Sequence, residues 1–258
     1  MIRVGIGGWS FDPWRKTFYP KDVSRARELA YASRALTTIE INGTYYRTQS
    51  PKSFRLWHDE APDNFVFAVK ASRFATNRRV LAEAGPSVTR FLESGITELK
   101  SKLGPILWQF AATKKFDAQD FGGFLNLLPK SQDGISLRHA IEVRHESFCI
   151  APFVALARKH GVAIVYADAE KYPMISEVTA DFVYARLMRA KASIKTGYAP
   201  AQLRKWQSLA EIWAKGGVEG NRPGKAAPKT RRDVFVYFIN GAKERAPAAA
   251  LALLKTLS

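Results

Sequence analysis

The chain has one cysteine, Cys149, in 258 residues, so an intrachain disulfide is excluded and a reducing cytoplasm is the expected location. Histidine is almost as scarce, with four in all. His58 and His160 fall in or near helical segments, and His139 opens a strand at the wrong end for a site. Glu142 with His145, plus Asp168 and Glu40, could make an oxygen-rich site, but Arg144, Arg186 and Lys70 would repel a dication, and a zinc-type cluster is not expected. Cys149 has no evident His and acid partners, which argues against a thiol nucleophile. No apolar run approaches the roughly 18–20 residues that span a bilayer. The opening Met1-Ile2-Arg3-Val4-Gly5 passes straight into a strand pattern without the apolar segment of a signal peptide. Acidic residues are also in deficit: 23 Asp and Glu oppose 40 Lys and Arg, a formal charge of +17. A field of that sign attracts polyanions, nucleic acid included, with or without a specific site for them.

Apolar and aromatic residues are plentiful. A hydrophobic fraction of 47%, with 16 Phe, 9 Tyr and 6 Trp, is ample for a core and excludes bulk disorder. The length suits one large α/β domain or two small ones. Apolar strand-like runs recur at 2–6, 38–42, 65–70, 106–110, 140–144, 162–166, 182–186 and 234–239, with helical or loop segments between them. Helices are expected over 23–35 with Ser24 as cap, from Ser50-Pro51 to about 61, over 86–100, 118–128, 151–160 ending at Gly161, 200–215, and from Pro247 onward. Eight evenly spaced units without a topological switch point give a (β/α)8 TIM barrel, an α/β fold, as a single domain over 1–258. A doubly wound open sheet is the alternative. The Gly-, Pro- and Lys/Arg-rich stretch 216–232 reads as a mobile basic loop.

In such barrels the working side chains stand at the C-terminal strand ends. Those ends carry Glu40 and Asn42, Lys70, Gln109, Glu142 and Arg144, Asp168, Arg186, and Tyr237. Three carboxylates there face three cations, a balance that permits burial of all six. A salt-bridge network filling the mouth is the bland alternative; apolar packing would be simpler and about as stable, which favours a site. Glu40, Lys70, Glu142 and Asp168 are the expected catalytic groups. Trp9, Asn42, Tyr45, Gln109, Arg144, Arg186 and Tyr237 are the expected substrate contacts, and Trp9, Trp14, Tyr45 and Tyr46 are candidate stacking surfaces. The three mouth cations would repel a dication, so neither metal nor cofactor is expected. Lys70, with Glu40 and Glu142 close by, is expected to stay charged and bind an anion rather than form a Schiff base.

Several motifs in order resemble one family. They are Gly8-Trp9, Phe18-Tyr19-Pro20, Glu40-Ile41-Asn42-Gly43-Thr44-Tyr45-Tyr46-Arg47, Phe65-Val66-Phe67-Ala68-Val69-Lys70, Leu103-Gly104-Pro105-Ile106-Leu107-Trp108-Gln109 and Ile141-Glu142-Val143-Arg144-His145. Together they resemble the YecE-like family, domain of unknown function 72, over nearly the whole chain. The resemblance implies a TIM barrel with a site but no assigned reaction. This chain departs from the family pattern after Gln109, where Phe110-Ala111-Ala112 replaces a Pro-Pro pair. It departs again at Leu187-Met188-Arg189 (His-Gly), Ile239-Asn240-Gly241 (Asn-Asn-Asp) and Thr76-Asn77 (Thr-His). The expected activity is hydrolysis or isomerisation of a phosphorylated, sugar-like or nucleic-acid substrate. The alternative is a non-catalytic module that binds an anion or nucleic acid. For the latter, the basic residues Arg189, Lys191 and Lys195 after strand seven are the expected contacts, with Lys225 and Lys229 contributing less.

Overall fold

The computed structural model describes residues 1–219 and 230–257. Nine parallel strand segments form one sheet around eight barrel positions. These are β1 Ile2–Gly7, β2 Thr38–Ile41, β3 Val66–Lys70, β4 Leu103–Gln109, β5 His139–Glu142, β6 in two segments (Ala163–Ile164 and Tyr166–Asp168), β7 Phe182–Leu187 and β8 Asp233–Phe238. The split in β6 is where the sheet closes. Its first segment pairs with β5 and its second with β7, with Val165 N donating to Ile141 O at 2.9 Å between them. β8 pairs with both β7 and β1, so the ladder runs unbroken from the second segment of β6 round to the first, a nearly closed barrel.

Period-two alternation sorts the strands into two apolar layers. On β3, Phe67 and Val69 join the outer layer against the helices, while Val66 and Ala68 point into the barrel. The interior is filled unevenly. Ala140, Ala163 and Ala167 on β5 and β6 face the barrel from one side, and Phe182, Tyr184, Phe235 and Tyr237 on β7 and β8 supply the bulk from the other. Gly5 on β1 is required: a Cβ there would stand 1.8 Å from the Thr38 carbonyl oxygen. The lower end is closed by ion pairs, with Arg138 at 2.9 Å and the Met1 amine at 3.0 Å from the Asp233 carboxylate.

The outer ring holds α1 Glu28–Ala35, α2 Pro51–Glu60, α3 Gly85–Leu92, α4 Ala118–Asn126, α5 Ala151–His160, α6 Pro200–Ala214 and α7 Ala246–Leu257. Ser50 caps α2 by accepting from Ser53 N at 3.2 Å, and Gly161 ends α5 in the left-handed region at φ 65°. α1 is shorter than its pattern: a 3-10 turn at Arg25–Arg27 precedes it, and the Ser24 hydroxyl makes no capping bond. The helix expected over 86–100 is interrupted at Gly95. That residue adopts φ 101° and leaves no room for a Cβ, which would lie 2.6 Å from Pro51 Cα. A 3-10 stretch, Ile96–Lys102, follows. Asp133-Gly134 turns a small antiparallel hairpin, Ser131–Gln132 against Ile135–Ser136, with both residues at positive φ. No helix separates β6 from β7; residues 169–181 form a loop there. Of the expected basic loop 216–232, residues 220–229 lie outside the described residues, and Arg232 is buried with Nη1 donating to Gly217 O at 3.0 Å. No helix among the described residues is long and apolar enough to cross a membrane.

Candidate functional site

β2, β5 and β7 each send a charged side chain into the barrel, and the three meet. Arg186 on β7 grips Glu40 on β2 with two parallel bonds, Nε to Oε2 and Nη2 to Oε1, both 3.0 Å. Its remaining nitrogen, Nη1, donates to Glu142 Oε2 and to Gln109 Oε1, the latter at 3.2 Å. Arg144 closes the other side of Glu142, donating through Nε to Oε1 at 2.7 Å and through Nη2 to Gln109 Oε1 at 2.9 Å. Tyr184, two residues before Arg186 on the same face, donates its hydroxyl to Glu40 Oε2 at 2.7 Å. Glu40 and Glu142 are both 0% exposed. Burial works against charge on Glu142, but Arg186 and Arg144 outweigh it and hold the carboxyl below its usual range. For Arg186, burial is likewise overcome by Glu142 and Glu40, which push its already high pKa higher still. Each oxygen of both carboxylates thus accepts a charge-assisted bond. That arrangement suits holding an arginine in place better than donating a proton.

Lys70, the last residue of β3, stands differently. It is 7% exposed, yet its ammonium makes no hydrogen bond and has no carboxylate within 4.0 Å among the described residues. Its close neighbour is the Tyr45 ring, whose centroid lies 4.1 Å from Nζ. Burial, followed by the positive charge of Arg186, lowers its pKa to about 8 against the pull of Glu40 and Glu142. The expected counter-ions are near enough to act through space but are already bonded to Arg186. Three cations against two carboxylates leave one positive charge uncompensated in the cluster. Two donors also stay open: Arg144 Nη1 and the Gln109 amide N–H groups make no hydrogen bond among the described residues. A Tyr172 ring from the 169–181 loop stacks on the Arg144 guanidinium at 4.4 Å.

A family model described as a protein of unknown function, DUF72, matches residues 3–258. The chain belongs to the DUF72 family. Its fold is similar to that of a DUF72 family protein from Thermotoga maritima, with TM-score 0.76 at 23% identity over 100% of this chain and 99% of that one. A DUF72 family protein from Enterococcus faecalis gives TM-score 0.73 at 20% identity over 100% of this chain and 95% of its own. Likenesses at these identities speak to the fold. No curated protein matches by sequence.

The other residues expected at the mouth of this DUF72 chain are distributed as follows. Asp168 shares the outward face of β6 with Tyr166, which packs on Trp206 and Trp213 of α6. Its carboxylate lies 3.6 Å from Arg189, and burial raises its pKa despite that partner. The expected balance of three carboxylates against three cations is therefore two against three. Tyr237 lies deeper in the barrel, its hydroxyl bonded to Thr38 Oγ1 at 2.8 Å, and burial raises its pKa. Trp9 packs edge-on against Trp57 of α2 at 5.3 Å. Trp14 is fully buried, with Nε1 donating to Lys243 O at 3.0 Å, and offers no stacking surface. Asn42 sits at the end of β2 and donates to Glu40 O at 3.2 Å. His139 is buried on the outer side of β5, bonded to Trp108 Nε1 at 3.1 Å and paired with Pro129 O at 2.8 Å.

Tyr184 and Tyr172 were not singled out from the sequence. Tyr184 was within reach, since it shares the period-two face of Arg186; nothing local marked Tyr172. Thr76, in a one-turn helix after β3, carries the one buried side-chain oxygen without a hydrogen-bond partner among the described residues. It precedes Asn77, where the family resemblance would place a histidine.

Proposed function

We propose that the mouth of the barrel binds a small anionic substrate of the phosphorylated or sugar-like kind, with Lys70, Arg144 Nη1 and the Gln109 amide as its contacts. In this reading Glu40 and Glu142 are positioning residues that hold Arg186 and Arg144, and they do not act as general acid and base. The observation that carries it is the lysine ammonium without a counter-ion in a cluster whose charge is otherwise compensated. A buried charge is costly without a partner, and the uncompensated charge here is of the sign an anion supplies. Open donors beside it add the directional bonds that orient an anionic group.

Calorimetric titration with inorganic phosphate and with ribose 5-phosphate at low salt tests this. Binding is expected in wild-type protein and is lost in Lys70→Met. Glu142→Gln keeps an amide oxygen that can accept from Arg144 Nε and removes a negative charge, so it leaves binding intact or tightens it. Loss of phosphate binding in Glu142→Gln with the fold retained would refute the division of roles. A second reading, polyanion binding at the rim, is favoured by Lys191 and Lys195, both exposed and without an ion pair among the described residues. It predicts an affinity for single-stranded nucleic acid that falls with salt at a log–log slope of about −0.7 per phosphate contact. Replacing Arg189, Lys191 and Lys195 by Ala would flatten that slope, and an affinity indifferent to salt would remove this reading.

A further inference from the structure

Resting on the anion-site reading, we infer that Lys70 is an imine-forming lysine whose substrate is a small carbonyl compound carrying an anionic group. A lysine reacts with a carbonyl only through its neutral amine, so a Schiff-base lysine must lack the counter-ion that would hold it as ammonium. Here the two candidate counter-ions are engaged elsewhere: Arg186 takes Glu40 with a bidentate fork and one oxygen of Glu142 with its third nitrogen, and Arg144 takes the other oxygen of Glu142. The groups facing Lys70 are Arg186 on β7, Glu40 on β2, Glu142 on β5, Arg144 just beyond it, and the Tyr45 ring. Burial and Arg186 together bring its pKa to about 8. About one Lys70 in ten is then neutral at pH 7, against about one in 2,500 for an ordinary lysine.

The step needs nothing beyond the substrate. Nζ, having released one proton to solvent, adds its lone pair to the carbonyl carbon, and the C=O π pair moves to oxygen, which takes up a proton. The carbinolamine nitrogen gives up a proton, the hydroxyl is protonated and leaves as water, and the nitrogen lone pair closes the C=N bond. Protonated amine plus carbonyl becomes protonated imine plus water, with charge conserved. Arg144 Nη1 and the Gln109 amide would meanwhile hold the anionic group. The protonated imine withdraws electrons from the adjacent carbon, the property an isomerase or carbon–carbon lyase uses.

The test is reductive trapping. Wild-type protein is incubated with glyoxylate, glycolaldehyde phosphate or acetaldehyde plus cyanoborohydride, and adducts are located by peptide mass mapping. At pH 7 Lys70 is expected to be labelled at least about 10-fold faster than exposed lysines, with a rate that is half-maximal near pH 8. Either glyoxylate or glycolaldehyde phosphate should outpace acetaldehyde, identifying a carboxylate or a phosphate as the preferred anion, and excess inorganic phosphate should slow the reaction. Lys70→Arg should abolish the adduct while still binding phosphate. Labelling of Lys70 no faster than surface lysines, with calorimetric phosphate binding intact, would overturn the imine while leaving the anion site standing. Equal labelling by acetaldehyde and glyoxylate with no phosphate binding would overturn both the substrate class and the anion site.

Discussion

Replacing Lys70 by Met should stabilise this protein at neutral pH. Lys70 titrates near 10.5 in the unfolded chain and near 8 in the folded state, where burial and Arg186 lower it, so at neutral pH it is charged in both and its charge is held at a cost in the fold. That difference corresponds to roughly 3 kcal/mol, and the contact with Tyr45 at 4.1 Å offsets about 1 kcal/mol of it. Met keeps the length and apolar stem without the charge, so a net gain of about 2 kcal/mol is expected at pH 7, on the order of 5 °C in Tm for a chain of this size. The pH dependence distinguishes this cause from better packing. Below pH 8 both folded and unfolded wild type carry the proton, and folding bears the full desolvation cost. Between about 8 and 10.5 the unfolded chain keeps the proton and the folded one loses it, so wild-type stability rises with pH. The advantage of the Met variant should therefore be present at pH 6.5, shrink by pH 9 and vanish near 10.5. Urea unfolding of both proteins at those pH values measures it. A Met variant less stable than wild type at every pH, or a gain that ignores pH, would show that Lys70 is not held at a cost. A residue that destabilises the fold where it stands is what a functional group looks like in energetic terms.

Arg186→Met would leave Glu40 and Glu142 buried without their cation and is expected to cost about 3–5 kcal/mol. Without Arg186, burial would push the folded pKa of Glu142 above the unfolded one, so that variant should gain stability as pH falls toward 5, where wild type loses the contribution of its lowered Glu142, and adding Glu40→Gln and Glu142→Gln should restore most of the loss in a urea titration. Lys102→Met should cost about 1–3 kcal/mol, because Nζ donates at 2.7 Å to the carbonyls of both His58 and Ala61 at the end of α2; unchanged thermal stability would show that water substitutes there. Gly5→Ala should cost more than about 3 kcal/mol or prevent folding, as the added Cβ meets the backbone of β2 rather than a movable side chain; a soluble variant with wild-type Tm would contradict the register of β1 on β2.

The sequence by itself determined the strand positions and the face each residue occupies. Alternation is local: Ile39 and Ile41 outward forces Glu40 inward, and Val69 outward forces Lys70 inward. Eight such units of regular spacing leave a closed parallel barrel as the simplest way to bury both faces, and the motif resemblance pointed to the same fold and family. The same rule, applied to β6, would have placed Asp168 outward with Tyr166; reading every strand end as inward hid that. Helix ends were legible where one residue decides them, as at Ser50 and Gly161. They were missed where a tertiary approach decides, as at Gly95 against Pro51. The tertiary structure alone decided which charges pair. Arg186 lies 146 residues from Glu40 and 44 from Glu142 along the chain, and nothing in either neighbourhood says that one guanidinium will bond to both. That outcome depends on strand stagger and on the reach of a planar five-donor side chain compared with a single ammonium. Because Arg186, with Arg144 on the far side of Glu142, satisfies both carboxylates, Lys70 is left without one, and the site's charge state follows from that competition.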